Sequence, residues 1–201
     1  MSYFSKNYKN LKFNLASDSI KGLYNAQEGA IHSIGSFFTT NTEPAIITMP
    51  TGSGKTAVLM MTPFLLRAKK VLIITPSRMV RGQIFEDFEK LETLKEIGVF
   101  SKTVTHPKIL EVKSKIDSSD KWKELSEFDV VVSTPNCTSP SYKDIVEPPE
   151  DLFDLILIDE AHHSPANTWN ELTSSFPKAK KVLFTATPFR RDKKEIKGKF
   201  I

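Results

Sequence analysis

Two short stretches hold residue types suited to phosphate chemistry. The first, MPTGSGKT at residues 49–56, follows the apolar run AIITM and precedes the apolar AVLM. Gly52 and Gly54 can take backbone conformations closed to other residues, so successive N–H groups can turn inward onto phosphate oxygens. A helix opening directly behind the loop adds partial positive charge. Thr51, Gly52, Ser53, Gly54, Lys55 and Thr56 are therefore the expected cradle for ATP. Lys55 is expected to reach the β- and γ-phosphates, and the Thr56 hydroxyl to hold Mg²⁺. The pattern G-x-x-x-x-G-K-[ST] asks for glycine at position 49, where this chain has Met49.

The second stretch is LILIDEAHH at residues 155–163. Four apolar residues would carry Asp159 and Glu160 to the C-terminal edge of a sheet, where open α/β sheets bind ligands. Asp159 is expected to hold Mg²⁺ through water, and Glu160 to polarise an attacking water. Two neighbouring carboxylates repel, and a cation between them offsets that repulsion. Taken alone, the Asp-Glu pair could also cap a helix; next to a phosphate loop the metal reading is the better one. His162 and His163 raise zinc, but four histidines, one cysteine and no H-E-x-x-H spacing argue against it.

These groups need strands and helices to hold them. Five apolar runs rich in β-branched residues read as strands buried on both faces: 45–49, 71–75, 129–134, 155–159 and 182–186. Helical spacing lies between them, with Ile84, Phe88, Leu91 and Leu94 on one face of 84–94, and a helix expected over 26–38. Pro63 is expected to kink or end the helix that opens near Gly54. Residues 108–113 could form a short strand, 118–125 begins like a capped helix, and 139–149, with three prolines, reads as a loop. Alternating strands and helices predict an α/β domain with a mostly parallel sheet between helices.

The chain's 201 residues suit one core and one domain. No apolar run is long enough for a membrane span, and the start MSYFSKNYKN lacks a signal-peptide core, so no membrane partner and a cytoplasmic location are expected. A lone Cys137 excludes a disulfide framework. The net charge of +4 is carried by residues 190–199, which hold six basic and two acidic side chains. Charge alone therefore does not establish nucleic-acid binding.

MPTGSGKT, DEAHH and TATPFRRD (185–192) in this order resemble motifs I, II and III of superfamily 2 helicases and translocases. GLYNAQEGAI (22–31), TPSRMVRGQ (75–83) and VVSTPN (131–136) are similar to the glutamine segment and motifs Ia and Ib. The chain thus resembles the N-terminal RecA-like P-loop NTPase domain of that superfamily, leaning toward the type III restriction enzyme res-subunit branch that moves on double-stranded DNA. The resemblance implies that Gln27 reads adenine and that Pro76, Ser77, Arg78, Thr134 and Pro135 touch one strand's sugar–phosphate backbone, contacts that position without reading sequence. Ser77 can cap a helix at the same time. Thr185 and Thr187 would couple hydrolysis to movement, with His162 bridging toward them.

Residues 1–19 then read as an N-terminal extension, and 190–201 as a basic tail beginning a linker to a second RecA-like domain of the same parent protein. That second half supplies arginine fingers, worth about 10³–10⁵ in rate in related systems. By this reasoning the chain alone binds ATP weakly, hydrolyses it slowly or not at all, and unwinds nothing. Nucleic acid is the expected partner, DNA ahead of RNA. The alternative is a non-catalytic, nucleotide-gated scaffold or nucleic-acid-binding module.

Overall fold

The computed structural model describes residues 1–19, 21–160, 166–187 and 198–201. The expected runs do become strands. They are β1 (Ala45–Thr48), β2 (Val71–Ile74), β4 (Val130–Ser133), β5 (Leu155–Ile158) and β6 (Lys180–Thr185), joined by the short β3 (Ile109–Glu111) and β7 (Lys199–Phe200). They form one sheet in the order β3-β4-β2-β5-β6-β1-β7. Each neighbouring pair is parallel.

The helices among the described residues are α1 (Tyr3–Asn7), α2 (Asn25–Thr40), α3 (Lys55–Leu65), α4 (Arg78–Lys90), α5 (Glu92–Glu96), α6 (Ser119–Glu124), α7 (Pro135–Thr138) and α8 (Ala166–Ser174). Alternate strand residues face opposite sides of the sheet. Ile47, Ile73, Val132, Leu157 and Phe184 pack with side chains of α1 to α5. Ile46, Leu72, Val131, Ile156 and Leu183 pack with Trp122, Leu172 and Phe176 on the other side. Burial on both faces explains why the strand sequences are apolar without alternation.

The structure refines several of these readings. The helix expected over 84–94 starts earlier, at Arg78, because the Ser77 hydroxyl accepts the Val80 N–H at 3.3 Å and caps it there. It also stops earlier. Leu91 turns left-handed (φ 52°), its side chain stays buried, and a separate helix follows. Pro63 sits inside α3, two residues before its end. The N-terminal segment is part of the core: Phe4 is fully buried and its ring meets Phe64 edge-on with centroids 4.9 Å apart. Lys199–Phe200, read as part of a basic tail, pairs with β1 at the sheet edge.

Candidate nucleotide and nucleic-acid site

Strand registry sets the site. Ile158 of β5 lies level with Leu183 of β6, and Leu183 with Ile46 of β1. The phosphate loop after β1, Thr185 at the end of β6 and Asp159–Glu160 after β5 therefore emerge from three successive strand tips on one edge. Met49, where the loop pattern asks for glycine, is buried, and its N–H donates to Thr185 O at 2.9 Å. Met49 thus continues the β1–β6 ladder as a core residue.

The loop itself is shaped by its glycines. Gly52 and Gly54 have φ of 82° and 80°, the left-handed region that side chains disfavour. Ser53 closes a turn onto Pro50, with N–H and hydroxyl both donating to Pro50 O, at 3.2 Å and 2.7 Å. Gln27, 4% exposed, lies against this loop: its Nε2 donates to Gly54 O at 3.1 Å. Its Oε1 accepts the Tyr24 N–H at 2.8 Å, closing the N-terminus of α2. The residue expected to read adenine thus spends its amide, in this structure, on the loop and the helix cap. The Tyr24 ring beside it is exposed.

Lys55, the first residue of α3, points across the β6 tip to the acids. Its Nζ lies 3.3 Å from Asp159 Oδ1 and forms an ion pair with Glu160 Oε1. Asp159 is 7% exposed, and burial holds its carboxyl above the ordinary aspartate range. The Lys55 charge works against that rise and the Glu160 charge adds to it. Although Lys55 Nζ is close, Asp159 Oδ1 accepts no well-directed hydrogen bond among the described residues. Glu160 adopts φ 51°, an uncommon conformation for a residue with a side chain, of the sort held in place at functional sites.

A buried carboxylate oxygen lacking a directed donor, with a glycine-shaped loop and a lysine across from it, is a donor set that suits Mg²⁺ with a phosphate chain. The Thr56 hydroxyl, one residue into α3, is engaged by no described side chain, so it is available to the same cation. Thr185 is fully buried; its hydroxyl donates to Thr187 O at 2.7 Å and accepts the Thr187 N–H at 3.2 Å. These two residues form a local turn on the strand between the loop and the acids. His162 lies outside the described residues, as do His163 and residues 188–197.

The same edge continues beyond the acids. Past β5 come β2 and then β4, and the loops leaving them meet. Pro76, Ser77, Arg78, Thr134 and Pro135 all border one hollow of about 270 Å³. The two loops are locked in step: Thr75 N–H donates to Ser133 O at 2.9 Å, and the Thr75 hydroxyl reaches the same oxygen at 3.2 Å. Arg81, one turn into α4, is buried and donates to Glu111 Oε1 at 2.8 Å and Val112 O at 2.9 Å, fixing β3 behind the hollow. Three further residues line the same hollow and were not expected to, Asn136, Cys137 and Tyr142. Asn136 closes the VVSTPN motif and Cys137 follows it, whereas Tyr142 sits in a proline-rich loop whose packing carries no local signature.

Residues 20–190 match the family described as type III restriction enzyme, res subunit. The chain belongs to that family. It is 31% identical over 159 residues to a protein named helicase 22 of Sulfolobus islandicus filamentous virus (isolate Iceland/Hveragerdi), covering 75% of this chain and 25% of that one. Its fold is similar to the UvsW helicase from bacteriophage T4, with TM-score 0.59, 17% identity, and coverage of 92% of this chain and 59% of the other. A DEAD box protein from Methanococcus jannaschii gives TM-score 0.54 at 18% identity, covering 82% and 48%. The chain thus spans a quarter of the viral relative and about half of these solved structures. The fold is a RecA-like α/β domain with a parallel sheet, as in these solved structures. Within this family the chain is a helicase-type ATP-binding domain. No described helix is long and apolar enough to cross a membrane.

Proposed function

We propose that this domain binds Mg·ATP and hydrolyses it to drive movement along nucleic acid, DNA in preference to RNA, when joined to a second RecA-like domain. The observation that carries the reading is the Lys55–Asp159–Glu160 cluster, which faces a glycine-shaped loop across neighbouring strand tips.

Residues 51–56 hold the phosphate chain through backbone N–H groups, and Lys55 contributes a positive charge to its outer phosphates. Thr56 and Asp159 would hold Mg²⁺, which would supply positive charge against the phosphoryl oxygens. Glu160 orients the attacking water and accepts its proton. Lys55 pairs with the acids in this structure, so on loading its ammonium would have to exchange the carboxylates for the phosphates, leaving Asp159 to a cation. Catalysis is then mostly positioning and charge stabilisation. Gln27 reads the base, and Thr185, Thr187 and His162 carry the coupling. Pro76, Ser77, Arg78, Thr134 and Pro135 hold one strand's backbone in the hollow next to the acids. From β1 to β4 the edge runs four strand spacings, roughly 19 Å at about 4.8 Å each, so nucleotide and strand lie close on one rigid sheet.

The test is calorimetric titration of the chain with Mg·ATP, followed by ATPase assays with and without DNA and a separately prepared C-terminal domain. Binding, plus DNA-stimulated turnover when the second domain is added, supports the reading. Binding without turnover under every condition favours the non-catalytic module, and no binding of Mg·ATP removes the nucleotide assignment altogether.

A further inference from the structure

We propose that Tyr142 is a base-stacking residue, and that the hollow it closes takes one nucleotide of a single-stranded nucleic acid. This rests on the nucleic-acid reading of the same hollow and adds what that reading lacks, a contact to the base instead of the backbone.

Four observations carry it. First, Tyr142 borders the same hollow as Arg78, so a cation and an aromatic ring flank one space. Arg78 is exposed and makes no ion pair among the described residues, which leaves its guanidinium available to a phosphate. A cationic track with aromatic faces beside it is the arrangement by which proteins hold single strands, because every base offers a π-face.

Second, the Tyr142 side chain is half-buried, yet its hydroxyl makes no hydrogen bond among the described residues. The described structure therefore gives that hydroxyl no anchoring role, and the exposed part of the ring is left to meet a ligand.

Third, the ring stands on a fixed support. Tyr142 N–H donates to Ser139 O at 3.1 Å, and Tyr142 O accepts from Ile145 N–H at 3.3 Å. The loop around it is tied to three other parts of the domain. The Ser139 hydroxyl donates to Thr168 O at 3.1 Å, Lys115 Nζ to Lys143 O at 2.8 Å, and Trp122 Nε1 to Val146 O at 2.8 Å. These bonds fix the backbone that carries the ring, so the loop loses little further freedom on binding.

Fourth, the rim is open, since Ser77, Arg78 and Asn136 are all exposed. At about 270 Å³ the hollow is smaller than the roughly 300–1,000 Å³ of enclosed small-molecule pockets. It suits a segment of a polymer passing through. Bases in a duplex are already stacked on each other, so a protein ring can take a base face only from an unpaired strand.

The test is fluorescence anisotropy of the full chain with labelled oligothymidylate, an abasic oligonucleotide of equal length and a duplex, over a range of salt. Tyr142→Ala should weaken oligothymidylate binding roughly 5- to 150-fold, the range for one stacked base. Tyr142→Phe should bind like wild type, and Tyr142→Leu should be as weak as the alanine variant. Abasic binding should be the same for all. The salt slope should be unchanged by Tyr142→Ala and reduced by about one by Arg78→Ala, since only the arginine displaces a counterion. If Tyr142→Ala fails to fold in a thermal melt, the Leu and Phe variants decide. Wild-type affinity in the Leu variant, with Arg78→Ala weakened, overturns the stacking proposal and leaves the backbone track standing. No salt-dependent binding by the wild type overturns both.

Discussion

The Gln27 side-chain amide donates to the Gly54 carbonyl at 3.1 Å, tying the start of α2 to the phosphate loop. A Cβ added at Gly54 would lie 2.0 Å from that same Gln27 Nε2, so the two residues are fitted to each other. Gln27→Ala removes this bond and the one to Tyr24 N–H, at a cost of about 1–3 kcal/mol. Gly54→Ala adds the left-handed backbone penalty, about 1–2 kcal/mol, to the overlap. In a urea-unfolding cycle, Gly54→Ala should cost less in the Gln27→Ala background, where the overlap is gone and only the backbone term remains. Equal costs in the two backgrounds would show that the fit carries no energy.

Asp159 is held above its ordinary range by burial, with Glu160 adding to the rise and Lys55 opposing it. Its folded form binds a proton more readily than its unfolded form. Stability therefore falls as pH rises from the unfolded value, about 3.9, through the raised folded value, and the full cost is present above it. Asp159→Asn removes that cost while Glu160 still pairs with Lys55. At neutral pH the ligand-free variant should be more stable than wild type by about 0.5–2 kcal/mol, or about 2–4 °C in Tm per kcal/mol at this length. The difference should vanish in acid, where Asp159 is protonated in both states. A variant less stable than wild type at pH 7 would contradict this account.

Lys55 and Glu160 should separate binding from turnover. Lys55→Ala removes the cation facing both acids and the charge meant for the phosphates, so calorimetry should register no Mg·ATP binding. Glu160→Gln keeps the side chain's shape. With the second domain present it should retain affinity and lose about 10²–10⁴ in kcat, the span of general-base effects. Unimpaired turnover in Glu160→Gln would move the water-orienting role to another group.

Arg81 should matter to stability more than its place beside the nucleic-acid motif suggests. It is buried, and it bonds both Glu111 and the Val112 carbonyl. Loss of one member of a buried pair costs about 3–5 kcal/mol when nothing replaces it. Here Lys113 Nζ remains 3.0 Å from Glu111 Oε2, so Arg81→Ala should fall below that range. Arg78→Ala, on an exposed rim, should leave stability within about 0.5 kcal/mol of wild type. Denaturation midpoints of the two variants make the comparison.

Local rules were enough for much of the framework. The five main strands were legible because sheet residues buried on both faces must be apolar whatever lies around them. The phosphate loop was legible because only glycine readily takes the φ that Gly52 and Gly54 adopt. Ser77 and Ser118 could be read as helix starts, since a capping hydroxyl needs only its own backbone; Ser118 accepts from Lys121 N–H at 3.4 Å. The order of glycine loop, acidic pair and threonine strand end sufficed to place the chain among helicase-type domains.

Tertiary structure decided what depends on partners distant in sequence. The chain turns left-handed at Leu91 and starts a new helix while Ile84, Phe88, Leu91 and Leu94 all stay buried, so their helical spacing could not reveal the break. Phe4 enters the core only because α3 presents Phe64 to it. That Gln27 grips Gly54, that burial lifts the Asp159 proton affinity, and that Tyr142 reaches the hollow beside Arg78 all depend on segments separated by 27 to 105 residues. Residue type and short-range spacing determine which groups can do phosphate chemistry; strand order determines which of them meet, because desolvation and hydrogen bonding act through space and leave no periodic mark on the chain.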